Sequence, residues 1–231
     1  MQDPTRIPNI LAALQEVWEG QPDLSLGQLF GVLDNRGLGW DSTDAEALAV
    51  LQQVSQEHPS LVDDTSAPIT FTTVEPHLQV TLVDGNVVVR SAAHPGRMPS
   101  VWRYASMRRT GPGLPLVLTD VEGVEHRLGI VRHLKLFAPG ESRSLAGLLQ
   151  DSVGGNRWLV ALEDGARAVV GSRIRRWVQA RREVDVDTFA WARILQCEAG
   201  ADMTIAPASG GEPVVLGRVT AVLPLEVQEE A

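Results

Sequence analysis

The chain has 231 residues, of which 44% are hydrophobic, and a formal net charge of −9 at pH 7. This apolar content predicts a globular protein, because disordered chains lack the side chains that would offset the entropy of ordering. No apolar run approaches the roughly 20 residues that cross a bilayer, and the first nine residues lack the charged and apolar regions of a secretory signal. We therefore expect no membrane association and a cytoplasmic location.

The basic residues and the cysteine content indicate the source of the protein and the chemistry open to it. Nineteen arginines stand against one lysine, Lys135, a bias expected of GC-rich bacterial genomes, so we expect a bacterial source. The chain has a single cysteine, Cys197, so it can form neither an intramolecular disulfide nor a cysteine-rich zinc site. Because it lies in an apolar stretch, we interpret it as an inert core thiol rather than a nucleophile.

Apolar residues recur with helical periodicity in three short segments near the N-terminus. The first segment ends at Gly20. Ser25 and Thr43 each precede a Gln or Glu by three residues, which is the spacing of a capping box, so they begin the second and third helices. Pro59 ends the pattern. The residues predicted to pack the three helices together are Leu14, Trp18, Leu29, Phe30 and Leu51.

A tryptophan precedes a Pro-Asp-Leu sequence at the beginning of the second predicted helix. Residues 17–29 are Val-Trp-Glu-Gly-Gln-Pro-Asp-Leu-Ser-Leu-Gly-Gln-Leu. Residues 8–58 resemble a family of small uncharacterised bacterial proteins in which a tryptophan precedes a Pro-Asp-Leu-Arg-Leu-Gly-Gln-Leu-Leu-type helix. Ser25 stands where an arginine is usual, so any role of that basic side chain is absent here. The resemblance implies a folding unit and brings no activity with it.

The pattern changes to short strands flanking turn residues after residue 68. Four hairpins are predicted, at Asp84-Gly85, Glu122-Gly123, Asp164-Gly165 and Ser209-Gly210-Gly211. A short helix is expected over residues 144–149, and residues 187–195 are ambiguous between helix and strand. The segments between the turns share no side-chain pattern, so no repeat is assigned.

These patterns predict an α+β protein with three parts. An N-terminal three-helix segment occupies residues 1–58, a linker with two prolines occupies residues 59–68, and a β-rich body occupies residues 69–231. The body is expected to be mainly antiparallel, as either a curled sheet or a small barrel.

Charge is distributed unevenly, with −9 in residues 1–65, +7 in residues 66–182 and −7 in residues 183–231. The positive charge concentrates in two clusters that also hold aromatic residues. The first comprises Arg97, Trp102, Arg103, Tyr104, Arg108 and Arg109, and the second comprises Arg173, Arg175, Arg176, Trp177, Arg181 and Arg182. Arginines beside aromatics can contact phosphates and stack on bases, which predicts a nucleic-acid surface. The alternative, which we favour, is that they pair with the protein's own acidic residues.

Candidate catalytic groups are sparse. His94, His126 and His133, together with Asp120 in a turn that also carries Glu122 and Glu125, are the candidates for a hydrolytic site. No histidine pair has the helical spacing of a zinc site, and no nucleophile elbow, P-loop or dinucleotide-binding glycine motif occurs. We expect neither a cofactor nor a structural metal.

Two classes of function therefore remain. We favour a non-enzymatic macromolecular binding or interaction protein. Its partner is expected to be a protein, either a different one or a second copy of this chain. Nucleic acid is the alternative partner. The other class is a hydrolase whose loop histidines and carboxylates are brought together by folding. A deep pocket joining two of these histidines to a carboxylate would favour the enzyme, and an exposed binding surface would favour the first class.

Overall fold

The structure is a computed structural model that describes residues 4–63, 67–138, 144–181 and 183–226. Three helices come first: α1 (Arg6–Gly20), α2 (Leu26–Asn35) and α3 (Asp44–Glu57). Both predicted capping boxes form, with Ser25 at the start of α2 and Thr43 at the start of α3. The first helix begins at Arg6 and includes Pro8 in its first turn, where the missing N–H has no helical acceptor to lose.

The three helices share a small apolar core. Leu29 and Leu51 are buried as predicted, and Leu14 packs at the edge of the core. Trp18 and Phe30 are 37% and 48% exposed, so their predicted place in the core is wrong. Each directly follows a buried residue, and successive side chains point about 100° apart around a helix. Burying Val17 and Leu29 therefore turns the two aromatic rings outward.

Thirteen strands follow the helices in the described parts of the chain. They are β1 (Ile69–Val74), β2 (Leu78–Val83), β3 (Asn86–Ser91), β4 (Ser100–Met107), β5 (Pro115–Asp120), β6 (Glu125–Leu136), β7 (Arg157–Leu162), β8 (Arg167–Val170), β9 (Ile174–Gln179), β10 (Val184–Phe189), β11 (Trp191–Gln196), β12 (Asp202–Pro207) and β13 (Val214–Glu226). A short 3₁₀ turn (Gln150–Ser152) precedes β7.

The strands form two sheets. The first six close into a barrel in chain order, and β6 returns to pair antiparallel with β1. The other seven form a curled sheet in the order β10-β9-β8-β7-β13-β12-β11. The predicted α+β class is confirmed, and the body contains both of the architectures expected as alternatives.

By its internal contacts the chain divides into two compact units. The first comprises residues 1–80 and 102–136, and the second comprises residues 81–101 and 137–231. The three helices and strands β1, β5 and β6 belong to the first unit, whereas the seven-stranded sheet belongs to the second.

All four predicted turns connect consecutive strands. At the first of them Asp84 and Gly85 have φ values of 50° and 71°, the left-handed pair that a type I′ hairpin turn requires. The helix predicted over residues 144–149 is wrong, because Ser144 and Leu149 make isolated β-bridges with Glu198 and Arg193. The ambiguous residues 187–195 lie in the two strands β10 and β11.

Within the predicted linker, Val62 forms a backbone bridge with Thr110 and is buried. Residues 64–66 lie outside the described part of the chain. No helix among the described residues has both the length and the apolar character needed to cross a membrane.

Candidate functional site

Folding brings one histidine and one carboxylate of the predicted catalytic set together at the turn between β5 and β6. The Asp120 Oδ2 and His126 Nε2 atoms are 2.7 Å apart. The other carboxylate oxygen accepts 2.9 Å hydrogen bonds from the N–H groups of Glu122 and Val124. The hydrogen bond from His126 is the largest cause that lowers the pKa of Asp120, followed by the backbone bond from Val124. This carboxylate therefore organises the turn through its hydrogen bonds.

The surroundings of His126 are occupied by aromatic and ionic contacts. Its ring centroid lies 4.3 Å from that of Trp102, at an interplanar angle of 32°, and the preceding residue, Glu125, pairs with Arg108. Within the described part of the chain, the His126 ring has no hydroxyl or thiol partner that it could activate as a nucleophile.

The other two candidate histidines have different neighbours. His94 is exposed in the loop of residues 92–99, where its backbone N–H donates to the Ser91 hydroxyl. His133 lies on β6 and lines a pocket of about 140 Å³ beside His58, at the end of α3. The remaining residues that line this pocket are Gln21, Pro22, Asp23, Leu24 and Arg132.

The small pocket holds two histidines whose ionisation is shifted. Burial is the largest cause that lowers the pKa of His58, and a 3.0 Å hydrogen bond between its Nδ1 atom and the Leu134 carbonyl acts in the opposite direction. Desolvation also lowers the pKa of His133, with the neighbouring Arg132 charge acting in the same sense. Arg132 pairs with Asp23. Both imidazoles thus favour their neutral forms at neutral pH.

We expect this pocket to make folding sensitive to acid. Because the pKa of His58 is lower in the folded than in the unfolded chain, the unfolded state binds the proton more readily, and stability falls as the pH drops below about 6.5. Replacing His58 with Asn retains an N–H donor but removes the titration. The difference between urea unfolding free energies at about pH 7.5 and about pH 5.5 should therefore be smaller in His58→Asn than in the parent. Equal differences in the two proteins would contradict this assignment.

The first arginine cluster is largely dispersed over exposed positions. Arg103 and Arg109 are exposed on and just after β4. Arg108 pairs with Glu125, and Trp102 covers His126. Arg97 is exposed in the 92–99 loop.

The second cluster is divided between the two faces of the curled sheet. Arg176 pairs with Asp164 through a 3.1 Å contact. Arg175 instead donates to the Pro95 carbonyl at 2.8 Å, and its guanidinium carbon lies 5.8 Å from the centre of the Trp177 ring. Arg181 is exposed, and Arg182 lies outside the described residues. Adjacent residues of a strand point to opposite faces, which explains the different partners of Arg175 and Arg176.

Trp177 is only 4% exposed, and its indole N–H donates to the Gly96 carbonyl at 2.8 Å. Because the ring is buried and the N–H is bonded, this tryptophan offers no face on which a nucleic-acid base could stack. Together with Arg175 it holds the 92–99 loop on the sheet.

Arginines surround a second pocket, which has a volume of about 300 Å³. Its lining comprises Arg157, Val169, Gly171, Ser172, Arg173, Arg175, Trp177 and Thr188. Sequence reasoning missed Arg157, Ser172 and Thr188, which come from β7, a turn and β10. The alternation of side chains along β9 could have placed Arg175 and Trp177 on one face, but only the strand order adds Arg157 and Thr188 to them.

Neither a metal-binding cluster nor a reactive thiol is found among the described residues. They contain no group of three or more His, Cys, Asp or Glu side chains arranged to hold a metal ion. Burial raises the pKa of the Cys197 thiol to about 12, so it is not a thiolate at neutral pH.

Comparison of the chain with protein-family models, with curated proteins and with solved structures gave no match.

Proposed function

We propose that this protein acts by binding another protein rather than by catalysis, through exposed apolar side chains on its helical segment. We call these side chains the apolar band. Its members are Ile7, Leu11, Trp18, Leu26 and Phe30, which are between 37% and 58% exposed. Large apolar side chains gathered on a surface are a feature of interaction sites, whereas single ones are ordinary.

Helical spacing places the members of the band on each helix beside one another. Ile7, Leu11 and Trp18 differ by four and seven residues, so they form one stripe along α1. Leu26 and Phe30 are one turn apart on α2. The Trp18 indole N–H donates to the Leu24 carbonyl at 2.7 Å, which brings the end of the first stripe to the start of the second helix. This continuity is the observation that carries the proposal.

The charge of the segment that carries the band indicates the chemistry of its partner. Residues 1–65 contain eleven acidic and two basic side chains, and both basic side chains are already paired, Arg6 with Asp44 and Arg36 with Glu57. An acidic segment that carries an apolar band favours a partner that presents basic residues around an apolar face. We therefore propose a protein that docks through a basic amphipathic helix.

A synthetic amphipathic helix of leucine and lysine provides a defined probe of this proposal. Labelled peptide should bind the parent protein with an affinity that falls as salt rises. Leu11→Ser and Phe30→Ser should each weaken binding about tenfold, because each removes an apolar contact. Val215→Ser is the matched control, since Val215 is 61% exposed on β13, outside the helical segment. That variant should bind like the parent.

Three results would contradict the proposal. Absence of peptide binding would show that the partner chemistry is wrong, and equal binding by all three variants would show that the band is not used. Concentration-dependent self-association that Leu11→Ser abolishes, measured by sedimentation, would identify a second copy of this chain as the occupant instead.

A further inference from the structure

The arginine-lined pocket of the curled sheet has a chemistry that the helical segment does not share. Strand pairing places Val169, Arg175 and Thr188 directly opposite one another on β8, β9 and β10. Directly opposed residues share one face of a sheet. Arg175 and Thr188 therefore face the same pocket.

The same register turns the nearby carboxylates away from the pocket. Asp187 is opposite Arg176, and Asp185 is opposite Val178, so these carboxylates occupy the other face together with Arg176. The eight residues that line the pocket include no acid. In this register Arg175 faces neither Asp185 nor Asp187.

The three pocket arginines carry charge that the described residues do not neutralise. Arg157, Arg173 and Arg175 take part in no ion pair within the described ranges. Arg157 donates to the Asn156 carbonyl at 2.6 Å, and Arg175 donates to the Pro95 carbonyl at 2.8 Å. Carbonyl acceptors orient a guanidinium and leave its positive charge in place.

Close packing against the backbone also fixes the position of Arg157. A Cβ atom added at Gly171 would lie 2.8 Å from the Arg157 Nε atom, so the guanidinium occupies the space that a side chain would fill. The Gly171 carbonyl accepts a 3.0 Å hydrogen bond from the buried Trp191 indole. This hydrogen bond fixes the Gly171 backbone, against which the Arg157 side chain packs.

We propose that this pocket binds a phosphate group. A phosphate offers up to two negative charges and oxygens that match the planar fork of a guanidinium, and the Ser172 and Thr188 hydroxyls add neutral donors. A single carboxylate would neutralise only one of the three arginines. A pocket of about 300 Å³ also leaves room for the group to which the phosphate is attached. The phosphate can come from a small phosphomonoester or from a nucleic-acid backbone.

Four probes distinguish these sources by calorimetry at low salt: adenosine 5′-monophosphate, glycerol 3-phosphate, adenosine and a single-stranded oligothymidylate. We expect both phosphomonoesters to bind and adenosine not to bind. Binding of the monoesters without the oligonucleotide assigns the site to phosphomonoesters. Binding of the oligonucleotide in competition with them assigns it to a phosphate backbone, with an affinity that falls steeply with salt.

Two substitutions test the pocket with little risk to the fold. Arg173→Gln removes an exposed guanidinium and should weaken phosphate binding about tenfold. Gly171→Ala preserves every charge but displaces the flexible end of Arg157, and should weaken binding about threefold or more. Arg176→Gln is the matched control, because it removes the same charge from the opposite face and should change affinity less than about twofold.

The proposal fails on any of three results. These are absence of binding by every phosphate probe, equal binding of adenosine and its monophosphate, and loss of affinity in Arg176→Gln as large as in Arg173→Gln. The last result would mean that net charge, and not the pocket, attracts the phosphate. Thermal unfolding of each variant in the absence of ligand establishes that it is folded.

Discussion

Replacing Gly20 with alanine is expected to lower the free energy of unfolding by roughly 3 kcal/mol. Gly20 is the buried last residue of α1, and a Cβ atom there would lie 2.1 Å from the carbonyl oxygen of His58, just after α3. That oxygen belongs to the backbone, so no side-chain rotation can relieve the overlap. The two helices must separate, and part of the apolar core between them is exposed.

Gly31→Ala is the control for this substitution. Gly31 lies inside α2, and a Cβ atom there meets nothing within 4 Å. Alanine is the better helix former by about 0.5–1 kcal/mol, so this variant should be slightly more stable than the parent. Urea unfolding followed by far-UV circular dichroism compares the two. A Gly20→Ala midpoint equal to that of Gly31→Ala would show that α1 and α3 do not approach as closely as described.

Local signals in the sequence predict the starts of helices and the turns of hairpins. The Ser25 and Thr43 capping boxes and the Asp84-Gly85 turn each depend on residues within four positions of one another, and all three form. A cap or a type I′ turn is stabilised by its own backbone and side-chain geometry, so its sequence is sufficient to identify it.

Contacts between distant residues carry no such signal. Ile69 pairs with Leu136 to close the barrel, across 67 positions of sequence. The sequence therefore left a curled sheet and a small barrel as alternatives, since the same hairpins can build either one. The outward position of Trp18 has the same origin, because periodicity identifies an apolar stripe without showing which edge the neighbouring helix covers.

The arginine-lined pocket depends both on a local sequence pattern and on contacts between distant residues. Alternation along β9 predicts that Arg175 and Arg176 point to opposite faces, and they do so. The sequence could not show which face carries the carboxylates, because that depends on the register of β9 with β10. Arg157 joins the pocket only through the pairing of β7 with β8. A cluster that appears continuous in sequence is thus divided, and a more distant arginine completes one of its halves.

Replacing Trp191 with alanine is expected to lower the free energy of unfolding by about 4 kcal/mol. The ring is 2% exposed at the start of β11, among the apolar side chains between the strands of the curled sheet. Its removal leaves a cavity too large for the neighbours to fill. It also leaves the Gly171 carbonyl without the 3.0 Å hydrogen bond that it accepts from the indole N–H.

Trp40→Ala is the matched control, because it makes the same chemical change at a fully exposed ring in the connection between α2 and α3. Its unfolding free energy should differ from that of the parent by less than about 0.5 kcal/mol. A third variant, Trp191→Phe, retains most of the apolar volume but loses the indole donor, and should cost roughly 2 kcal/mol. The expected order of stability is therefore Trp40→Ala, Trp191→Phe and Trp191→Ala. If Trp191→Ala unfolds at the same urea concentration as Trp40→Ala, the ring does not lie in the core of the sheet.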